Sequence, residues 1–435
     1  MKFGFRGGVH PPARKELSAG GAIRSLSDLP VVVIPMAQHI GGACAPCVQP
    51  GDRVKIGDKI GDGAGLCVPV HASVSGVVTA VEPRPHTSGS AVMAVVIEND
   101  KKGERAEGKP LDLETADAAA IMAAIREAGI VGMGGATFPT GVKLGSGLGK
   151  VDTVIVNACE CEPYITADDL LLRTGAARVL RGLAVVVKAL SPARMVVAVE
   201  DNKPEAMEAV RAALALCPGA ELAALPTRYP QGAEKQLIQS VTGREVPGGK
   251  LPADVGCAVF NAATLAAVCD AVLEGKPLTE RLVTVTGEAV REPQNFLVPI
   301  GAPFADVVEA AGGLLETADK IISGGPMMGV SQRELEAPVI KGTNAILCLP
   351  RLAISVDNPA CIRCGKCLEV CPMRLQPLYL AQSVRGERFK RLDELHLFDC
   401  IECGCCSYIC PAKIPLVEIF RDGKRSVRER RAAEQ

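Results

Sequence analysis

Two cysteine runs near the C-terminal end constrain this chain more than any other feature. Cys361, Cys364, Cys367 and Cys371 are followed by Pro372. In the stretch "DCIECGCCSYICP", Cys400, Cys403, Cys406 and Cys410 are followed by Pro411, and each lies thirty-nine residues after its counterpart. Cys405 falls opposite Lys366 and is surplus to the repeat. The spacing C-x2-C-x2-C-x3-C-P lets three thiolates converge on one face of a 4Fe–4S cube while the fourth leads into a helix. Paired C-x2-C also suits tetrahedral zinc, but zinc does not account for two matched runs that each end in Cys-Pro.

In two-cluster ferredoxins the fourth cysteine of each run ligates the other cluster. The expected ligands are therefore Cys361, Cys364, Cys367 and Cys410 for one cluster, and Cys400, Cys403, Cys406 and Cys371 for the other. Two such cubes move single electrons, so the chain reads as redox machinery that needs a donor.

Composition narrows the setting. At 435 residues the chain should form several domains. Its 18 cysteines are clustered, and "MKFGFRGGVHPPARKE" has no apolar core of signal-peptide length, which points to metal ligation in a reducing cytoplasm. A net charge of −1, no Trp and 3% aromatics offer nucleic acid neither a basic surface nor a stacking platform. No run reaches the ~18 apolar residues of a membrane span. The nearest, "VGCAVFNAATLAAVCDAVL", is interrupted by Asn261, Thr264 and Asp270 and reads as a buried helix. A soluble or peripheral protein is expected.

From Pro30 to about Asp100 short apolar runs alternate with Gly–Asp turns, and "GDRVKI" is followed at once by "GDKI". This segment resembles the barrel-sandwich fold of lipoyl carriers. No lysine lies between Gly61 and Asn99, so a structural role is expected. Within it Cys44-x2-Cys47, with His39 upstream and Cys67 beyond, has metal-ligand character, although small buried thiols are the favoured reading. Cys217, Cys257, Cys269 and Cys348 stand singly in apolar contexts and read as core.

From about Leu111 the pattern becomes α/β. "TADAAAIMAAIREAG" predicts a helix capped by Thr115 and stopped by Gly129, and "VDTVIVN" and "ARMVVAVE" predict strands around an apolar helix. That order suggests a Rossmann-like nucleotide-binding fold. Residues 281–344 resemble a soluble-ligand-binding β-grasp (SLBB) module. From Cys361 the chain reads as short helices, and the last fifteen residues, with six basic and three acidic side chains, read as a solvated helix. The expected architecture is multidomain α/β + β. It comprises a barrel-sandwich domain at 1–105, an α/β domain at 106–278, a β-grasp module at 279–348, an all-α two-cluster domain at 349–420 and a basic tail at 421–435.

Two stretches are candidates for the electron donor's site. "GIVGMGGATFPTGVKL" lacks the Gly-Lys-Ser/Thr of a Walker loop, follows a predicted helix and carries Thr137 where a dinucleotide fingerprint needs a third glycine. Gly132, Gly134 and Gly135 still allow backbone N–H groups close to a phosphate or flavin, with Lys143 as countercharge. Soon after, "VIVNACECEPYITADD" is a strand running into Asn157, Glu160 and Glu162, where α/β folds meet ribose or nicotinamide groups.

These two stretches resemble the flavin and NADH loops of the NADH-oxidising subunit of respiratory complex I. Matching positions are Gly132, Gly134, Gly135, Ala136, Phe138, Lys143, Asn157, Glu160 and Glu162. "YPQGAEKQLI" keeps Gly232 and Glu234 of a further segment, and "FNAAT" keeps the flavin-contacting Asn261 and Thr264. Met133, Thr137, Cys159 and Cys161 depart from that family's arginine, glycine, aspartate and serine.

The chain as a whole resembles the RnfC family, the peripheral subunits of Rnf ion-translocating ferredoxin:NAD+ oxidoreductases. "GFRGGVHPP", "QHIGG", "GDRVKIGDKIG", "VHASVSGVVTAVEPRPH", "ECEPYIT", "GGPMMG" and both cysteine runs carry the likeness from residue 3 to about 415. It implies FMN, two 4Fe–4S clusters, an NAD(H) site, and membrane-embedded partner subunits that dock it on the cytoplasmic side of the membrane. It also implies hydride exchange at a flavin held by Gly132–Ala136 and Asn157, with nicotinamide near Phe138, Glu162 and Glu234, and ferredoxin as a remote partner. Two alternatives stand at this point: a soluble cobalamin reductase of diol-utilising microcompartments, and an electron relay without flavin.

Overall fold

A computed structural model describes residues 4–351 and 360–433. The expected domain ranges that reach residues 1–3, 352–359 and 434–435 extend there beyond the described residues.

The N-terminal part is a sandwich of two antiparallel sheets. One orders Val31–Pro35, Ala91–Asn99, Gly76–Pro85 and Arg53–Val54, and the other Ala45–Pro46, Lys59–Asp62 and Val70–His71. The Gly–Asp turns make its corners, and Val32, Ile34, Ile60, Val95 and Ile97 fill its interior.

The α/β part has a four-stranded parallel sheet in the order Ala220–Leu225, Arg194–Glu200, Thr153–Ala158 and Cys257–Asn261. Its central strands are nearly continuous β-branched runs because helices cover both faces. Asn157 and Asn261 are register partners at the C-terminal ends of adjacent strands. The long helix Ala167–Leu190 packs on Ala262–Leu273.

Two local expectations are corrected here. The helix Ala118–Glu127 is capped by Asp117, whose carboxylate accepts the Ala120 N–H at 2.7 Å. Thr115 instead donates to Asp112. "VGCAVFNAATLAAVCDAVL" is not one helix. Its first third is the strand Cys257–Asn261, and the Asn261 side chain then caps the helix Ala262–Leu273.

A six-stranded mixed sheet follows, in the order Arg24–Ser25, Gln294–Pro299, Glu280–Thr286, Ala345–Pro350, Ala318–Ser323 and Val330–Gln332, with helix Phe304–Ala310.

The C-terminal part is all helical and internally repeated in its backbone. Gly365 and Gly404 precede the short helices Lys366–Glu369 and Cys405–Ile409, both with φ near 80° (79° and 81°). Arg363 and Glu402, and likewise Arg374 and Lys413, adopt left-handed backbone at matching positions of the repeat. Leu380, Leu392, Leu397 and Phe420 form its core. Helix Leu416–Ala433 runs unbroken past position 420, and the expectation that the tail is solvated holds for one face only. Phe420 and Val427 pack into that core, and buried Lys424 donates to the Cys400 carbonyl at 2.7 Å and pairs with Glu402 at 2.7 Å.

Candidate functional site

The glycine loop leaves helix Ala118–Glu127 at Gly129 and turns over the ends of the parallel strands. Gly132 donates to the Phe138 carbonyl at 2.8 Å, and Thr137 donates to the Gly132 carbonyl at 3.1 Å, closing a small ring. Thr264 Oγ1 accepts the Met133 N–H at 2.8 Å, and buried Arg281 donates to the Met133 carbonyl at 3.1 Å. Between these anchors Gly134, Gly135 and Ala136 are exposed. Among the described residues none of their N–H groups meets a protein acceptor. A Cβ on Gly135 would have no heavy atom within 4 Å, so the loop presents an open backbone face to a ligand. These features fit a phosphate or a flavin ring.

The other expected flavin and NADH residues divide into those that face the loop and those that build beneath it. Asn157 donates to the Gly232 carbonyl at 2.8 Å and accepts from the Cys159 N–H at 3.3 Å. Asn261 donates to Asp168 at 2.6 Å and lies under Gly134, whose added Cβ would approach it at 3.5 Å. Lys143 is already partnered, by Glu234 at 2.8 Å and the Val259 carbonyl at 2.9 Å. Gly232 accommodates Asn157 and Cys161, and Phe138 is half-buried.

The two carboxylates point inward rather than to solvent. Glu160 accepts the Asp168 N–H at 2.6 Å, at the start of helix Ala167–Leu190, and lies 3.6 Å from the Lys15 ammonium. Burial pushes its carboxyl up to about 7, with Lys15 opposing the shift. Glu162 accepts the Met327 N–H at 3.1 Å through one oxygen, while the other is buried without a hydrogen bond. Burial pushes this group up to about 7 as well.

Several supports carried no motif in the sequence. Lys15 donates to the carbonyls of Glu160 at 2.9 Å and Glu162 at 3.1 Å, and to that of Ile165. Lys203, paired with Glu200 at 3.3 Å, donates to the Cys159 carbonyl at 2.7 Å. Arg281 and Lys341 are likewise buried cations on backbone carbonyls. Residues this distant in sequence leave no periodic or spacing signal.

The cysteines line two cavities. Cys361, Cys364, Cys367 and Cys410 line the larger, and the first two are exposed. Cys371, Cys400, Cys403 and Cys406 line the smaller, where surplus Cys405 also reaches the wall. Backbone N–H groups of Arg363, Glu402 and Leu375 point at the sulfurs of Cys361, Cys400 and Cys371, at 3.4, 3.4 and 3.3 Å. Soft thiols around apolar cavities, with N–H donors aimed at sulfur, fit 4Fe–4S clusters. The smaller cavity abuts the α/β part: Tyr229 donates to the Cys403 carbonyl at 2.7 Å and Gln236 to the Pro372 carbonyl at 3.4 Å.

Comparison with known proteins agrees with this architecture. The RnfC barrel sandwich hybrid domain matches residues 3–102, the Nuo51 FMN-binding domain 125–270, the SLBB domain 282–331 and the 4Fe-4S dicluster domain 360–414. The RnfC-type component of the Na(+)-translocating ferredoxin:NAD(+) oxidoreductase complex of Acetobacterium woodii is 47% identical, over 97% of both chains. Its counterpart in the proton-translocating ferredoxin:NAD(+) oxidoreductase complex of Clostridium ljungdahlii is 45% identical, over 97% of this chain and 93% of that one. The counterpart in the ion-translocating oxidoreductase complex of Salmonella arizonae is longer, 41% identical over 99% of this chain and 65% of its own. An NAD+-reducing [NiFe]-hydrogenase crystal structure shares the fold, with a TM-score of 0.51 at 21% identity over 72% of this chain and 61% of that one. Among the described residues no helix is long and apolar enough to cross a membrane. With an FMN-binding domain and a dicluster domain in one chain, and near full-length identity to these relatives, the protein belongs to the RnfC family of ion-translocating ferredoxin:NAD+ oxidoreductase components.

Proposed function

We propose that this chain exchanges hydride with NAD(H) and passes single electrons between that site and partner subunits of a membrane-embedded complex, on its cytoplasmic side. Reduced ferredoxin is the remote donor in this reading and NAD+ the acceptor. Its functional modules are 1–105, 106–278, 279–348 and 349–420, with the tail at 421–435. Bound FMN supplies the exchange between two-electron hydride and single electrons, and bound 4Fe–4S clusters carry the single electrons.

The open N–H face of Gly134, Gly135 and Ala136, flanked by Gly132, holds the flavin, and Asn157 fixes the strand end below it. Phe138, Glu162, Gly232 and Glu234 border the nicotinamide side, and the Lys143–Glu234 pair sets the charge there. Asn261 and Thr264 act through the loop: one caps the supporting helix and the other anchors Met133 N–H. Glu160 shapes the acidic turn from below. No side chain is required as acid or base, since positioning and electrostatics carry hydride transfer.

Cys400, Cys403, Cys406 and Cys371 hold the cluster nearer the flavin-binding sheet. Cys361, Cys364, Cys367 and Cys410 hold the outer one, whose exposed rim faces a partner. The observation that carries this order is the Tyr229–Cys403 contact, which joins the smaller cavity to the α/β part while Cys361 and Cys364 open to solvent.

Anaerobic purification with iron, sulfide and flavin quantified, followed by NADH titration, tests the proposal. Flavin released on denaturation, together with NADH-dependent bleaching of the cluster absorbance, is the expected result. Iron without flavin would leave only an electron relay.

A further inference from the structure

We propose that His39, Cys44 and Cys67 form a three-coordinate site for a soft d10 metal ion, in the barrel-sandwich part where it backs onto the glycine loop. The Cys44 and Cys67 sulfurs are 3.3 Å apart, and His39 Nε2 is 3.8 Å from the Cys67 sulfur. All three ligand atoms lie within 4.8 Å of one another. Metal–sulfur bonds of about 2.3 Å and metal–nitrogen bonds of about 2.0 Å give ligand–ligand edges of roughly 3.5–4 Å, so little movement is needed. Both cysteines are 4% exposed. Cys47, the apparent partner of Cys44 by spacing, is exposed and turned to the Lys59 carbonyl at 3.3 Å, outside the group.

The backbone is built for this meeting. A Cβ on Gly41 (φ +129°) would lie 2.0 Å from the Leu66 carbonyl oxygen, and one on Gly63 would lie 2.9 Å from the Cys67 sulfur. Glycines thus let the 38–44 segment and the 66–68 turn close on each other. With His39 Nδ1–H donating to the Ile40 carbonyl at 3.2 Å, the lone pair is on Nε2, the orientation that metal-ligating histidines take. That lone pair accepts the Val68 N–H at 3.2 Å, a contact the metal displaces.

Charge selects within the class. Lys341 is fully buried, with its ammonium 2.7 Å from the carbonyls of Pro69 and Gly129; burial lowers its pKa to about 8, and negative charge on Cys44 and Cys67 opposes that shift and favours the ammonium. Two thiolates and one monovalent copper leave a single negative charge, which Lys341 balances. Divalent zinc neutralises the thiolates and leaves the lysine charge uncompensated. Binding releases two thiol protons and involves no redox change. Because Ile40 N–H donates to the Thr137 carbonyl at 3.3 Å, an occupied site clamps the segment behind the glycine loop.

The test uses the full chain with its iron–sulfur clusters loaded anaerobically. Cu(I) and Zn(II) are titrated separately against chromogenic chelators, with elemental analysis and X-ray absorption at the added metal's edge. One equivalent in a two-sulfur, one-nitrogen shell is expected, Cu(I) being retained more tightly. The double variant Cys44→Ser/Cys67→Ser should lose it with iron unchanged, Cys47→Ser should keep it, and His39→Ala should weaken it at least about tenfold. Should the double variant fail to fold, metal protection of Cys44 and Cys67 from alkylation in the unaltered chain gives the same reading. Uptake that the double variant retains, a sulfur-only shell, or a Cys44–Cys67 disulfide in anaerobically prepared protein overturns the proposal.

Discussion

The Tyr229 hydroxyl donates to the Cys403 carbonyl across 2.7 Å, and neither residue is open to solvent. Val9 pairs with Tyr229 on one side, and Gly8 donates to the Val370 carbonyl at 2.8 Å, so the N-terminal segment is stitched into the same joint. Tyr229→Phe keeps the ring but orphans a buried carbonyl, at a cost of about 1–3 kcal/mol. The variant should melt at lower temperature and shed iron faster under air while keeping its flavin. An unchanged melt and iron half-life would mean that this bond does not hold the cluster part in place.

Cys405 lines the same cavity as four other cysteines and is buried in one small cluster with Cys403 and Tyr229. The thirty-nine-residue repeat leaves it opposite a lysine, and the backbone repeats in that register at Gly365 and Gly404. Cys405→Ser should therefore keep both clusters by iron content and electron paramagnetic resonance, whereas Cys406→Ser should lose one. Equal loss in the two variants would show that Cys405 is not surplus to the cluster.

Glu162 gives stability a pH dependence. Burial raises its folded pKa to about 7, against an ordinary 4.5, with the Met327 and Met328 N–H groups opposing the shift. The folded state thus holds the proton more tightly than the unfolded one. That contribution is present in full below about pH 4.5 and is lost as pH rises through 7, on the order of 3 kcal/mol in all. Denaturant unfolding at a series of pH values should show this fall, to which Glu160, pushed up to about 7 by its own burial, also contributes, and Glu162→Gln should remove only its own share of the slope. A slope equal to that of the unaltered chain would place the titration elsewhere.

Much of this organisation is legible in the residues because its chemistry is local. Cysteine spacing brings out the two matched runs that line the two cavities, and Gly–Asp turns between β-branched runs expose the sandwich. The glycine loop and the acidic strand end stand out in the sequence, but the direction of their side chains does not. Glu160 stands at the strand end in the sequence, whereas in the fold its carboxylate accepts the Asp168 N–H at a helix start, and Asn261 and Thr264 bind the loop and its supporting helix. The stretch 255–273, expected as one helix but folded as the strand Cys257–Asn261 and the helix Ala262–Leu273, shows why: a buried parallel strand and a buried helix are both continuous apolar runs. Lys15, Lys203, Arg281 and Lys341 depend on three-dimensional placement alone, since each satisfies carbonyls brought in from distant segments.

The glycine loop rests on a helix pair with no room between its members. A Cβ on Gly182, in helix Ala167–Leu190, would lie 1.8 Å from the Leu265 carbonyl oxygen in helix Ala262–Leu273. The obstacle is backbone, so the helices must separate. The second helix carries Thr264, which holds the Met133 N–H, and begins at Asn261 beneath Gly134. Gly182→Ala should therefore cost at least about 1–3 kcal/mol and weaken flavin retention, with iron content in the cluster part preserved. Gly145→Ala is the matched control, since its Cβ would meet only the Met122 sulfur at 3.6 Å and the change favours helix Thr140–Gly147. Denaturant unfolding and flavin dissociation should separate the two variants, and similar behaviour would show that the helix pair does not position the loop.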